Sequence, residues 1–236
     1  MILETETAYG KMSFYGKDEY IGRSLYAYGE WSGDECDMLR ELASGVFVDV
    51  GANIGAMSMA VAATGRPVLA FEPQPALYSL LVKNCIGLPV SCFNLALSSV
   101  AGHARMPKIR YGDRGNYGGL GFGRSDLGSI EVECKTLDSL VSRSTHPVGL
   151  IKIDVEGHEL QVLKGASELI NDCRPILYVE DDREDKRWDL RAYIKKLGYT
   201  IEEHNPSMYR ENNYRGLKKN IWGINYVSMN LICRPC

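Results

Sequence analysis

Val46-Phe47-Val48-Asp49-Val50-Gly51-Ala52-Asn53-Ile54-Gly55 is the stretch whose reading decides the fold. Val46 to Val50 is a run of β-branched and aromatic residues without polar alternation, the pattern of a strand buried on both faces of a parallel sheet. Glycines follow and then a helix-type run over 54–63, so an acidic residue stands at the end of a buried strand where a glycine turn leads into a helix. Gly51 and Gly55 allow tight turning and close backbone approach, a geometry suited to nucleotides. A dinucleotide site needs a glycine triplet spaced for a pyrophosphate, whereas this turn is GxNxG preceded by Asp49. A carboxylate there repels pyrophosphate but accepts hydrogen bonds from the ammonium of an amino-acid moiety, directly or through water.

Outward from this turn the chain alternates strand and helix, the footprint of a doubly wound sheet. The reading gives strands over 67–72, 90–95, 130–134, 149–155, 176–180 and 200–204, with helices over 76–84, 137–141, 159–170 and 186–197. A short helix capped by Ser32 or Asp34 runs to about Leu42 and is broken by Gly45. Residues 225–232 read as a last strand. The second strand ends in Glu72, about 20 residues beyond the turn, where a ribose-binding acid belongs. Residues 1–32 read as an arm or cap with short strands around 12–15, and 33–236 as the main domain. Only 97–129 breaks the alternation, because Tyr111 to Gly123 holds six glycines and cannot form a regular element. A substrate lid is expected over 108–125, with Arg110, Arg114, Asn116, Tyr117 and Arg124 as candidate substrate contacts; Tyr stacks on a sugar and Arg grips phosphate.

Bulk properties narrow the partners. The 236 residues, 45% hydrophobic and 24% charged, suffice for one α/β domain with a sizeable core. A net charge of −3 argues against a bulk electrostatic grip on nucleic acid and favours small or neutral substrates. No apolar run approaches bilayer length and 1–15 has no signal-type core, so a cytoplasmic protein without membrane partners is expected. Seven scattered cysteines read as reduced thiols, Cys233-Arg234-Pro235-Cys236 lacking a second pair for zinc. Homo-oligomerisation is left open.

Lys152, Asp154 and Glu156 alternate along one strand and share a face if it stays regular, an arrangement that marks either a site or a structural ion pair. His158, next in line, has the ordinary pKa of a general base, and Asp154 or Glu156 is placed to orient its ring. Glu180 closes the neighbouring strand and shares base duty or binds a hydroxyl. Asp154, Glu180 and Asp181 also offer hard oxygen ligands for Mg²⁺, although that ion is not favoured.

Several motifs resemble the FkbM methyltransferase family from about Tyr28 to Pro235. They are Tyr28-Gly29-Glu30-Trp31, Val48 to Gly55, Phe71-Glu72-Pro73, Thr136-Leu137-Asp138, Ile151-Lys152-Ile153-Asp154-Val155-Glu156-Gly157-His158-Glu159, Leu163-Lys164-Gly165-Ala166, Asn220-Ile221-Trp222-Gly223 and Ser228 to Cys233. The resemblance implies a Rossmann-like, three-layer α/β/α domain with a seven-stranded sheet and an antiparallel last strand. It also implies S-adenosylmethionine as cofactor and transfer to a hydroxyl of a sugar, glycan or natural product. The candidate cofactor set is then Tyr28, Glu30, Asp49, Gly51, Asn53, Gly55, Glu72, Pro73, Asn94, Ala96 and Asp154, and the catalytic set His158, Asp154, Glu156, Lys152 and Glu180. Methylation of a nitrogen, or of a nucleotide-linked or phosphorylated acceptor, and an inactive cofactor-binding module are the alternatives.

Overall fold

The computed structural model describes residues 1–123, 125–141, 147–223 and 226–236; Arg124 and His146 lie outside them. An antiparallel hairpin of β1 (Ile2–Thr7) and β2 (Gly10–Tyr15) opens the chain, followed by α1 (Ile21–Tyr28) and α2 (Gly33–Leu42). Then come β3 (Val46–Val50), α3 (Ala56–Ala62), β4 (Val68–Phe71), α4 (Pro75–Asn84) and β5 (Val90–Phe93). A side sheet is built from β6 (Ala96–Leu97), β7 (Gly102–Pro107) and β8 (Ser129–Lys135). The remainder is α5 (Leu137–Leu140), β9 (Val148–Ile153), α6 (Glu159–Lys164), α7 (Ser167–Cys173), β10 (Ile176–Glu180), α8 (Glu184–Lys196), β11 (Tyr199–His204) and β12 (Asn230–Pro235).

Among the described residues the main sheet has seven strands in the order β5-β4-β3-β9-β10-β12-β11. Its five leading strands pair in parallel, and β12 inserts antiparallel between β10 and β11. The strand period of two decides which core each residue joins. Phe47, Leu150, Tyr178 and Ile232 pack in one apolar cluster together with α3 and α4. Val48, Val50, Ile151, Ile153 and Val179 pack in the other, against α6, α7 and α8. Each such fully buried side chain contributes roughly 1.5–3 kcal/mol relative to exposure, which is why β3, buried at all five positions, tolerates a single acid only if it is paired. No helix among the described residues is long and apolar enough to cross a membrane.

Several expectations are corrected by tertiary context. The strand over 130–134 is β8 of the side sheet, pairing with β6 and β7 and not with the main sheet, and β7 occupies part of a stretch expected to be irregular. Residues 159–170 lie in two helices, α6 and α7, with Gly165 and Ala166 between them; a side chain at Gly165 would sit 2.0 Å from the Ser98 carbonyl oxygen. Asp138 caps the second helix by accepting from the Glu168 and Leu169 amides. The last strand starts at Asn230, later than expected: Tyr226 and Val227 continue the alternation in sequence but are exposed. The arm contains α1, whose short amphipathic run was not recognised.

At the start of β9 its backbone touches the segment that leads into β3. A Cβ at Gly149 would lie 1.8 Å from the Ser44 carbonyl oxygen. Gly149→Ala is expected to lower stability by about 1–3 kcal/mol through overpacking, read as a lower urea midpoint at unchanged slope.

Candidate active site

Parallel strands bring their carboxyl ends to one edge, and open α/β sheets bind ligands there. At that edge lies a cavity of about 440 Å³ bordered by the ends of β3, β4, β9 and β10. Its floor is the glycine turn. Gly51 has φ 80°, and a Cβ there would stand 1.9 Å from the Asp154 carbonyl oxygen. Only glycine therefore lets the turn lie against the end of β9. Asn53 also takes positive φ (52°), and Gly55 precedes α3 with a Cβ position 2.7 Å from the Leu81 side chain.

Two carboxylates hold this turn. Glu72 Oε2 accepts from the Asn53 amide at 2.9 Å and Oε1 from the Gln74 amide at 2.8 Å. Burial pushes the Glu72 carboxyl up to about 7, opposed by those two hydrogen bonds. Asn94 donates from Nδ2 to the Glu72 and Pro73 carbonyls, bracing the loop from behind. Asp49 is fully buried, accepts from Ser58 Oγ at 2.6 Å, and pairs in register with Lys152 of β9. The Lys152 ammonium lies 3.3 Å from Asp49 Oδ1 and 3.4 Å from Asp154 Oδ2, and donates to the Gly51 carbonyl at 3.0 Å. Burial alone would lower its pKa, but Asp154, Asp49 and Glu35 outweigh that effect and raise it. Asp49 borders the cavity, its Oδ1 buried and facing the Lys152 ammonium.

The other end of the cavity is acidic. The strand ends at Ile153, and Glu156 has φ 57°, so the expected alternation stops short. The turn nevertheless returns Glu156 to the site: oxygens of Asp154, Glu156 and Glu180 lie within 4.8 Å of one another, a set of hard donors of the kind that suits Mg²⁺. Asp181, expected among these ligands, faces elsewhere, because Arg191 and Arg187 hold its carboxylate at 2.9 and 3.1 Å. Arg183 pairs with Glu156 and with Asp182. Burial, then the charges of Asp154 and Glu156, holds Glu180 far above the ordinary carboxylate range.

His158 borders the cavity, yet its Nε2 is 3.0 Å from Ser98 Oγ and its ring meets Phe122 edge-on. Its hydrogen-bonded partner is a serine where Asp154 or Glu156 was expected. Burial, then the Lys186 charge, lowers the ring to about 4, so it is neutral at pH 7.

Pro73, Ala96, Asn116 and Tyr117 border the cavity as expected, whereas Tyr28 and Glu30 do not. Tyr28 Oη accepts from the Ile221 amide, and Glu30 forms a two-pronged pair with Arg210 at 2.7 and 2.9 Å. Both tie α1 to the 205–223 segment. Arg110 and Arg114 do not converge on the site; they pair at the surface with Asp113 and Glu19. Arg124 is outside the described residues. Sequence reasoning missed Glu35, Gln74, Tyr20, Trp31 and Tyr226, all on the cavity wall; Trp31 and Gln74 stand in or beside quoted motifs, whereas Tyr20, Glu35 and Tyr226 carry no local signal.

Since Lys152 is the one cation paired with Asp49 among the described residues, Lys152→Met is expected to cost about 3–5 kcal/mol by leaving a buried charge uncompensated. Adding Asp49→Asn should recover part of that loss, both read by chemical denaturation.

Comparison with known proteins gives this geometry a family. A family model described as the methyltransferase FkbM domain matches residues 49–201. Hexuronic acid methyltransferase AglP of Haloferax volcanii is 33% identical over 128 residues, 53% of this chain and 51% of that protein. Methyltransferase sdnD of Sordaria araneosa is 29% identical, over 67% of this chain and 74% of its own length. Among solved structures, FkbM of Methylobacillus flagellatus KT superposes with a TM-score of 0.54 at 17% identity, covering 91% of this chain and 55% of that one. The chain thus spans about half the length of AglP and of that FkbM structure. A tRNA (uracil-54, C5)-methyltransferase of Pyrococcus abyssi, solved with S-adenosyl-L-homocysteine, gives 0.52 at 10% identity, over 99% of this chain and 44% of its own. The sheet order with its inserted antiparallel strand, the glycine turn and the matched span together mean that this chain belongs to the FkbM methyltransferase family.

Proposed function

We propose that this protein is an S-adenosylmethionine-dependent O-methyltransferase acting on a hydroxyl of a sugar or related small molecule. The observation that carries the reading is one cavity with two different ends. Glu72 and the Gly51 turn stand at the β3–β4 side, and Asp154, Glu156 and Glu180 at the β9–β10 side. A nucleoside fits the first end: Glu72 spends one acceptor site of each oxygen on loop amides, and a carboxylate has about four such sites, leaving two for ribose hydroxyls. The amino-acid moiety fits beside Asp49, which borders the cavity. When bound, S-adenosylmethionine supplies an electrophilic methyl group on a sulfonium.

The protein's own work is to orient a hydroxyl and take its proton. Glu156 suits this: burial, then Asp154, pushes it up to about 7 while Arg183 opposes, and a base works best with a pKa near the operating pH. His158, at about 4 and engaged by Ser98, is the weaker base. The name of the Haloferax relative supports a sugar acceptor. A phosphorylated acceptor has less support, since Arg110 and Arg114 are engaged at the surface.

Calorimetry with S-adenosylhomocysteine tests the cofactor. Glu72 must be ionised to accept two ribose hydroxyls, so affinity should rise about tenfold between about pH 6 and pH 8 as the carboxyl titrates. Glu72→Gln should flatten that profile and weaken binding by about 10–100-fold. Binding of NAD in place of the homocysteine nucleoside would overturn the assignment. With labelled cofactor and an accepted sugar, Glu156→Gln should slow transfer by about 10²–10⁴-fold, the usual worth of a general base, with homocysteine-nucleoside binding retained. His158→Ala should cost far less, and the reverse ranking would return base duty to His158.

A further inference from the structure

Resting on the reading just given, we infer that the acceptor end of the cavity selects a sugar ring that carries no negative charge, one face lying on an aromatic wall and its hydroxyls donating to the carboxylates opposite. Strand order separates the two ends. β4 and β5 lie on one side of β3, and β9 and β10 on the other, so a nucleoside held at Glu72 leaves the β9–β10 side for the acceptor.

That side has an apolar wall and an acidic one. Tyr20, Trp31 and Tyr226 border the cavity, and Trp222 ties them together. Its ring stacks with Tyr226 at 5.5 Å and with Tyr20 at 5.9 Å, and meets Trp31 edge-on at 6.3 Å. Arg23 lies over the far part of this cluster, 5.3 Å from the Trp222 ring. Aromatic surface of this kind suits the C–H face of a pyranose ring. Opposite stand Asp154, Glu156 and Glu180, whose oxygens converge within 4.8 Å. Glu180 Oε2 is buried and lacks a hydrogen-bond donor among the described residues, which a ligand hydroxyl would supply.

The cations bordering this end are already engaged. Lys152 is 4% exposed and held by Asp49, Asp154 and the Gly51 carbonyl. Arg183 is shared by Glu156 and Asp182. Glu35 adds a further buried carboxyl to the same wall. Among the described residues these two cations face four carboxylates, Asp49, Asp154, Glu156 and Asp182, so a carboxylate on the acceptor, as in a hexuronate, would enter a region of net negative charge with no free guanidinium or ammonium to meet it. A neutral hexose or an amino sugar meets acceptors that its donors satisfy.

The test uses the full chain loaded with S-adenosylhomocysteine and three probes: methyl β-glucoside, methyl β-glucosaminide and methyl β-glucuronide. Binding is followed by saturation-transfer NMR and competition. The glucoside or glucosaminide should bind at least about tenfold more tightly than the glucuronide, a factor of ten in affinity being readily resolved. Glu156→Gln combined with Glu180→Gln should shrink that ratio toward one while homocysteine-nucleoside binding persists, which also reports an intact fold. Glucuronide binding equal to or tighter than the neutral probes overturns the inference. So does glucuronide binding that appears only with added Mg²⁺, since the acids then carry a cation, and so does failure of all three probes on loaded protein. Failure of the protein to bind the homocysteine nucleoside at all is a separate result: it removes the methyltransferase reading itself.

Discussion

One buried ammonium organises the functional edge of this molecule. Lys152 lies in register with Asp49 across the β3–β9 pair, contacts Asp154 two residues on, and donates to the carbonyl of Gly51. Two parallel strands and the turn that follows the first are thus cross-linked by one charge in a region where each group alone would be costly. Burial amplifies the Coulombic attraction as well as the penalty, so the arrangement is stable only as a set. This explains why a lysine sits in a strand that carries Ile151 and Ile153 on its opposite face.

From that anchor, the cavity's asymmetry follows from topology. The segments that follow β4 and β5 carry Glu72, Pro73 and Ala96, and the ends of β9 and β10 lead to the acids. The glycine-rich segment bridges both: a side chain at Gly118 would fall 2.7 Å from the Asn53 amide group, and one at Gly121 2.5 Å from the Glu156 carbonyl oxygen. Its glycines thus serve close packing over the turn and the acidic end together. Tyr111 stacks on Tyr15 of β2 and Tyr117 meets it edge-on, so the hairpin at the start of the chain supports the same segment.

The arm and the 205–223 segment form a second structural unit around the first. Glu30, buried and paired with Arg210, also accepts from the Tyr214 amide, and Asp37 adds a contact to the same guanidinium. Two-pronged Arg–carboxylate geometry gives orientation as well as attraction. It brings Trp222 and Tyr226 over α1, next to Tyr20. Tyr28 and Glu30 of the motif ahead of β3 thus position the wall of the cavity, and Trp31 of the same motif is part of that wall.

The sequence by itself determined the parallel-sheet class, the glycine turn, and the strand-end positions of Asp49, Glu72, Asp154 and Glu180. Those signals are local: an apolar run, a residue type permitting positive φ, and a period of two are all written within a few neighbouring positions. Only the tertiary structure decided which strand-end acids meet. Asp181 adjoins Glu180 in sequence but is drawn to Arg191, whereas Glu156 enters the site through a left-handed turn that breaks the alternation. It likewise decided that Tyr28 and Glu30 brace the 205–223 segment, that Arg110 and Arg114 stay at the surface, and that His158 meets Ser98. The physical reason is the same in each case. Whether a polar side chain faces a cavity depends on competing partners brought from distant segments, and the energy of those pairings is absent from any short stretch of sequence.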